Sequence, residues 1–449
     1  MTTERALFAT KLGGVFAAVG SAVGLGNVWR FPYETGSHGG AAFLLVYLAC
    51  VLLLGTPLLL AELVLGRATH QNPTGAFRKL APGTHWYLLG YLGAFCMILI
   101  VAFYGVVAGW TLCYTTHAAL GSVPDFAAFS SSLWGPLLWM TLFFCINGAI
   151  LLGGVRKGIE RASNILMPLL AVMLVVLCIN SLSLDNARAG LEFLFYPDFS
   201  KIDAMVIVSA LGQSFFSISV GICCLLTYGS YLPNSTKLGR SALTITLLDT
   251  LFAILSGIII FPACFAFQVQ PDQGPGLAFV TLPDVFQQMP GGMLWCFAFF
   301  LLLVVAALTS SLSMLETPTA ILQEEFHMSR KKAVLVATTI GWLLSILCAL
   351  SFCPDFSDSL SIGGMIVFDL FDKTTANIIM PFSATLMAIF VGWVMDKKLL
   401  RDNVNNFRQD GKTVWYYKPF LMAVRFIAPL CILLIFLNGL GVFELFSRK

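Results

Sequence analysis

Charge is what this sequence has least of. Only 11% of its 449 residues are Asp, Glu, Lys or Arg, where a soluble domain carries about 25%. With 58% hydrophobic residues and a mean hydropathy of +0.86, the chain cannot cover its apolar surface in water, so lipid must be its solvent. The net charge is +3 and no basic tract occurs, which leaves nothing for a nucleic acid to bind. The five histidines form no cluster, and neither HExxH nor GxSxG is present. An intramembrane enzyme therefore finds no support. Twelve cysteines occur, but they are scattered through apolar runs (Cys50, Cys96, Cys145, Cys178), with Cys223 and Cys224 adjacent and no CxxC pair. A disulfide framework is not expected; these are small apolar core residues.

What the sequence has is apolar runs. A bilayer core needs about 20 apolar residues per helix. That rule gives about eleven spans, near 12–36, 41–66, 86–118, 134–152, 163–183, 205–231, 240–268, 292–322, 333–352, 373–395 and 418–443. The polar start, Met1 to Lys11, does not read as a cleavable leader. Lys and Arg collect after the even spans: Arg67, Arg78 and Lys79 after the second, Arg156, Lys157 and Arg161 after the fourth, Arg330, Lys331 and Lys332 after the eighth. The opposite loops are poor in both, so the amino terminus is expected to be cytoplasmic. The loops are short, and residues 1–449 read as a single all-α membrane domain.

Two spans are interrupted. Span 1 carries Gly20, Gly24 and Gly26 at mid-membrane depth, followed by Asn27 and then Arg30 just before Pro32. Span 6 carries Gly212, Gln213, Ser214, Ser217, Ser219 and Gly221 at its centre. Small residues in isolation more often serve close helix packing. Here polar Asn27 and Gln213 need partners inside the membrane, and spans 1 and 6 occupy matching places if spans 1–5 and 6–10 are two repeats. Such a pair marks the binding site of a transporter. Unwinding frees N–H and C=O groups that must face protein, ion or substrate.

At these residues the sequence resembles a family. The run Ala22-Val23-Gly24-Leu25-Gly26-Asn27-Val28-Trp29-Arg30-Phe31-Pro32-Tyr33 is similar to the first-helix signature of the neurotransmitter:sodium symporters, and the likeness extends to about residue 395. It implies two inverted five-helix repeats, about 10–185 and 203–396, with an extra helix at about 418–443. It implies two coupling Na+ ions and no other cofactor. One sodium would lie on Ala22, Asn27, Ser217, Asp249 and the substrate carboxylate. The other would lie on Gly20, Val23, Ala306, Thr309 and Ser310. The substrate would sit on the unwound stretch of Ser21, Ala22, Gly24, Leu25 and Gly26, with its carboxylate on Tyr104. Phe216 would lid it. Ile100, Ile222, Met314, Ser217 and Ser219 would wall it, with Ser310 and Ser311. The resemblance also implies an outer gate of Arg30 and Asp372 with Glu34, and an inner gate of Arg5 and Glu324 with Tyr231 beside it. Glu62 matches an acid that bonds the unwound segments, and the Gly158–Pro168 spacing is one that relatives use to unwind the start of span 5.

Departures from the family pattern point to the cargo. Gly24 stands where amine-transporting relatives carry Asp, which favours amino acids. Asp249 stands where many relatives carry Asn, and Ala253 where animal relatives have a chloride-binding Ser, so a fixed carboxylate replaces chloride. The pocket wall carries no charge. The expectation is chloride-independent sodium symport of a neutral, hydrophobic amino acid by a multi-pass protein of a bacterial inner membrane. The alternatives are a proton-coupled permease, which Thr309 and Ser310 argue against, and a transport-inactive sensor on the same fold.

Overall fold

A computed structural model describes residues 7–269, 277–408 and 413–439. Among the described residues nine helices are long and apolar enough to cross a membrane, and a bent pair makes a tenth span. The bent pair is α1 (Leu12–Ala22) and α2 (Gly26–Ser37), which meet at 46°. Helix α1 starts where Thr10 accepts from the Gly13 N–H, a side-chain cap for an orphan donor. It ends where Val23 turns extended, φ −72° and ψ 110°.

The chain continues through α3 (Ala41–Thr69), the short α4 (Pro73–Leu80), α5 (His85–Ala119), α6 (Trp134–Leu152) and α7 (Val155–Leu182). After α8 (Ala187–Phe195) comes the second broken span, α9 (Ala204–Ser217) and α10 (Cys224–Ser230). Residues 218–223 between them are unwound, with Ser219 (φ 52°), Gly221 (φ 87°) and Cys223 (φ 64°) all left-handed. For Ser219 and Cys223 this is a costly conformation. Then follow α11 (Leu238–Ala266), α12 (Gly292–Glu324), α13 (Arg330–Leu350), α14 (Val367–Val394), α15 (Lys397–Val404) and α16 (Tyr417–Leu434). Taking α9 and α10 together as one further broken span brings the described residues to about the number that hydropathy predicts.

Helices α5 and α12 pack along one another at the centre, and α13 and α6 close over α5. Both broken helices lie against this scaffold. Most of the cysteines are buried and none is paired.

Three boundaries differ from the sequence reading. Span 5 starts at Val155, not 163, and is helical throughout the Gly158–Pro168 stretch. Glu160 and Arg156 hold it: Glu160 accepts from the Ala9 and Thr10 N–H groups at 2.7 and 3.0 Å, and Arg156 donates to the Leu7 carbonyl at 2.7 Å. Span 10 starts at Val367 because a small antiparallel hairpin, β1 (Ser361–Ile362) with β2 (Met365–Ile366), delivers the chain to it. Gly363 and Gly364, φ 61° and 80°, make its turn. The segment around 184–204 contains α8, whose Gly190 lies against the backbone of Pro262; an added Cβ would stand 2.4 Å from the Pro262 nitrogen.

Candidate functional site

The two breaks face each other. Where the helical ladder stops, the freed groups find side chains. Glu62, wholly buried in α3, accepts from the Gly221 N–H at 2.6 Å and the Leu226 N–H at 3.0 Å. Gln213 donates to the Gly26 carbonyl at 2.9 Å. Asn27 folds back so that its Oδ1 accepts from the Gly24 N–H at 3.0 Å.

Asn27 is the hinge of a buried oxygen cluster. Its Nδ2 donates to Asp249 Oδ1 at 2.7 Å, to the Asp249 carbonyl at 3.0 Å and to Ser217 Oγ at 3.0 Å. Ser217 in turn donates to Asp249 Oδ2 at 2.7 Å and accepts from Tyr47 OH at 3.1 Å. Asn27, Ser217, Asp249 and Tyr47 are each at most 1% exposed. A carboxylate at this depth calls for a cation, and its neighbours Asn27, Tyr47 and Ser217 come from three other spans.

A second set lies across span 1. Thr309 Oγ1 is 3.5 Å from the Val23 carbonyl and 3.1 Å from the Ala306 carbonyl. A Cβ on Gly20 would meet Thr309 Cβ at 3.1 Å, a tight contact, so glycine here eases the close approach of α1 to α12. Ser310 donates to the Ser21 carbonyl at 3.2 Å.

Between these sets lies a cavity of ≈ 10 Å³, room for one water molecule. Its floor is Ala22, Gly24 and Gly26, and its walls include Ile100, Tyr104, Ile222 and Met314, with Phe216, Ser219 and Ser310. The Tyr104 hydroxyl accepts from the Leu25 N–H at 3.3 Å. Four expected lining residues turn elsewhere. The hydroxyl of Ser21 goes to Ser313, and that of Ser217 to Asp249. Ser311 donates to Asn147 in α6 at 2.7 Å; one position along a helix from Ser310, it points about 100° away. Leu25 offers only its backbone.

Above the cavity Arg30 stacks on Phe216, with its guanidinium 4.5 Å from the ring centroid. It reaches Asp372 at 3.8 Å and Glu34 at 3.6 Å, and Ser209 donates to Glu34 at 2.7 Å. The expected outer pair is therefore assembled. At the other end Arg5 lies outside the described residues. Glu324 accepts from the Asn72 N–H at 2.8 Å, and Tyr231 donates to Glu316 at 2.7 Å. Below them Glu325 hydrogen-bonds Arg78 and holds that guanidinium above its ordinary pKa.

The model of the sodium:neurotransmitter symporter family matches residues 5–125 and 130–447. The chain belongs to that family. This symporter is 37% identical to the sodium-dependent transporter YhdH of Bacillus subtilis (strain 168), across 97% of this chain and 98% of that one. It is 27% identical to the human sodium- and chloride-dependent GABA transporter 2, across 90% of this chain and 75% of that one. Among solved structures it resembles MhsT in complex with L-phenylalanine, at a TM-score of 0.89 and 42% identity, covering 97% of this chain and 100% of the other. The symporter is a multi-pass membrane transporter and not an enzyme. Sequence reasoning missed Met380 on the cavity wall, and Glu316 and Arg330 near the inner end. Nothing in the local sequence separates Met380 from other membrane methionines.

Proposed function

We propose that this symporter carries a neutral, hydrophobic amino acid into the cell together with two sodium ions, by alternating access and without chloride. The observation that carries this reading is the oxygen cluster at the breaks, where the Asp249 carboxylate meets Asn27 and Ser217 beside an uncharged cavity. The amino-acid carboxylate would lie near Tyr104 and the N-terminal end of α2, where the dipole favours an anion. It would complete a first sodium site of the Ala22 carbonyl, Asn27, Ser217 and Asp249. Gly20, Val23, Ala306, Thr309 and Ser310 would form the second. These are hard oxygen ligands and helix-end carbonyls, which suit sodium.

Three features favour this cargo. The cavity wall has no charged side chain to match an ionic substrate. A side chain on Gly24 would strike Ser310 Cβ at 2.9 Å and Tyr104 OH at 3.0 Å, so no acid can stand there to receive an amine. MhsT holds L-phenylalanine, an amino acid of this class. For chloride the argument is electrostatic. The human relative is named for both ions, whereas here Asp249 supplies a fixed negative charge among Tyr47, Ser217 and Asn27.

In the transport cycle, Arg30 and Asp372, with Glu34, would close the outer side over Phe216. Release would open the inner side, where the family likeness would pair Arg5 with Glu324, with Tyr231 beside them. The two repeats, about 10–185 and 203–396, would supply the moving bundle and the scaffold, in a bacterial inner membrane with the amino terminus cytoplasmic. Sodium couples only by binding the two states differently. The test is uptake of labelled amino acids by proteoliposomes under an inward sodium gradient, an equal potassium gradient, and sodium with gluconate for chloride. Sodium-driven uptake indifferent to gluconate is expected. Uptake driven by pH in potassium would replace sodium with protons, and a severalfold fall in gluconate would end the chloride argument.

A further inference from the structure

Span 10 carries an irregularity that decides which residue faces the cavity. The Met380 N–H donates to the carbonyl of Thr375, five residues back, so Thr375–Ile379 is one π turn inside α14. The Thr375 hydroxyl takes the carbonyls of Phe371 and Asp372 at 2.8 and 3.0 Å and steadies the widened turn. In a regular helix of about 3.6 residues per turn, side chains eight apart point about 80° away from one another, and side chains seven apart about 20°. A π turn absorbs one extra residue. Asp372 and Met380, eight apart, are therefore brought onto one face, where an unbroken helix would have presented Ile379.

The face they share is the substrate path. Asp372 meets Arg30 above Phe216, and Met380 lines the cavity below it with Ile222 and Met314. The walls differ in kind. Ile100 and Ile222 are β-branched and stiff, while Met314 and Met380 are unbranched and adaptable. Because the cavity is ≈ 10 Å³, an amino-acid side chain gains room only as the methionines change rotamer. We propose that Met380 is a specificity-determining residue: its side chain, aimed by the π turn, sets the largest substrate side chain this symporter accepts and lets it take both branched aliphatic and aromatic amino acids. This rests on the amino-acid reading given above.

The test compares sodium-driven uptake of phenylalanine and valine by wild type, Met380→Ala, Met380→Phe, Met380→Leu and Ile379→Ala in proteoliposomes. A methylene-sized change in an apolar pocket alters discrimination by roughly tenfold or more. Met380→Ala should raise the phenylalanine-to-valine ratio of Vmax/KM by about that factor, mostly through KM, and Met380→Phe should lower it. Met380→Leu, close in volume, and Ile379→Ala, off the shared face, should leave it near wild type. Should Met380→Phe fail to fold, Met380→Ala still decides. An unchanged ratio in Met380→Ala with sodium-driven uptake intact overturns the inference, as does an equal shift in Ile379→Ala. Wild type that accumulates neither amino acid under sodium overturns the amino-acid reading itself, and this inference with it.

Discussion

Arg330 holds Glu316 with a two-pronged grip inside the bundle: Nη1 donates to Oε1 at 2.8 Å and Nη2 to Oε2 at 2.6 Å. Glu316 has no exposed surface, and Arg330 also donates to the Leu151 carbonyl at 2.9 Å. The pair thus ties α12, the start of α13 and the end of α6, and through Tyr231 the end of α10. Removing one partner of a buried pair leaves an uncompensated charge and costs about 3–5 kcal/mol. Arg330→Met should lower the unfolding midpoint of the detergent-solubilised protein accordingly. Arg330→Met with Glu316→Leu should recover much of that loss, and a double variant no more stable than Arg330→Met would refute the pairing as the cause.

Gly24 tests the contraction of the cavity. Gly24→Ala would press a methyl group on Ser310 and the Tyr104 hydroxyl, an overpacking worth about 1–3 kcal/mol. Substrate affinity should fall by roughly tenfold or more on that basis, with the protein still folded. Binding of labelled substrate, alongside a thermal unfolding curve, checks it.

Asp249 tests the charge argument. Asp249→Asn keeps the shape of the cluster and removes its fixed charge, so sodium-driven uptake should drop severalfold. In Asp249→Asn with Ala253→Ser, which restores a hydroxyl one turn away, uptake should become dependent on chloride. Uptake by the double variant that is equal in chloride and gluconate would count against Asp249 as the substitute anion.

Glu62 tests the unwound segment. Its carboxylate serves Gly221 and Leu226 N–H groups at once, and a buried donor left unmatched costs about 1–3 kcal/mol. Glu62→Ala strands both, and Glu62→Gln can accept from only one, so stability should fall in the order wild type, Gln, Ala. Transport should fall in the same order, as uptake rates will report.

The breaks were readable in the sequence because unwinding needs glycine and polar partners, and Gly24, Gly26, Asn27, Gln213 and Ser217 stand out in an apolar run. The candidate ion and gate residues come from the likeness to the family's motifs, since neither composition nor spacing alone singles them out. Met380 is hidden because its direction depends on a π turn that hydropathy does not signal. Ser311 misled for a related reason: vicinal hydroxyls diverge on a helix, and only packing says which one faces inward. The Glu316 pair is hidden in the sequence because its partner Arg330 lies beyond the turn into α13. Span 5 reads short from hydropathy because Val155–Glu160 carries three charges, yet the chain before α1 lies on it and satisfies Glu160.

The burial of the cysteines has a practical side. Among the described residues Cys145 alone is exposed, and it lies on a mostly apolar groove between α6 and α13. Polar thiol reagents in water therefore meet a nearly silent background. A cysteine introduced near the outer gate, at Ser209 or Ala376, would answer such a reagent with almost no competing signal, and its rate of labelling with and without sodium would read the opening of the gate directly in the otherwise native chain.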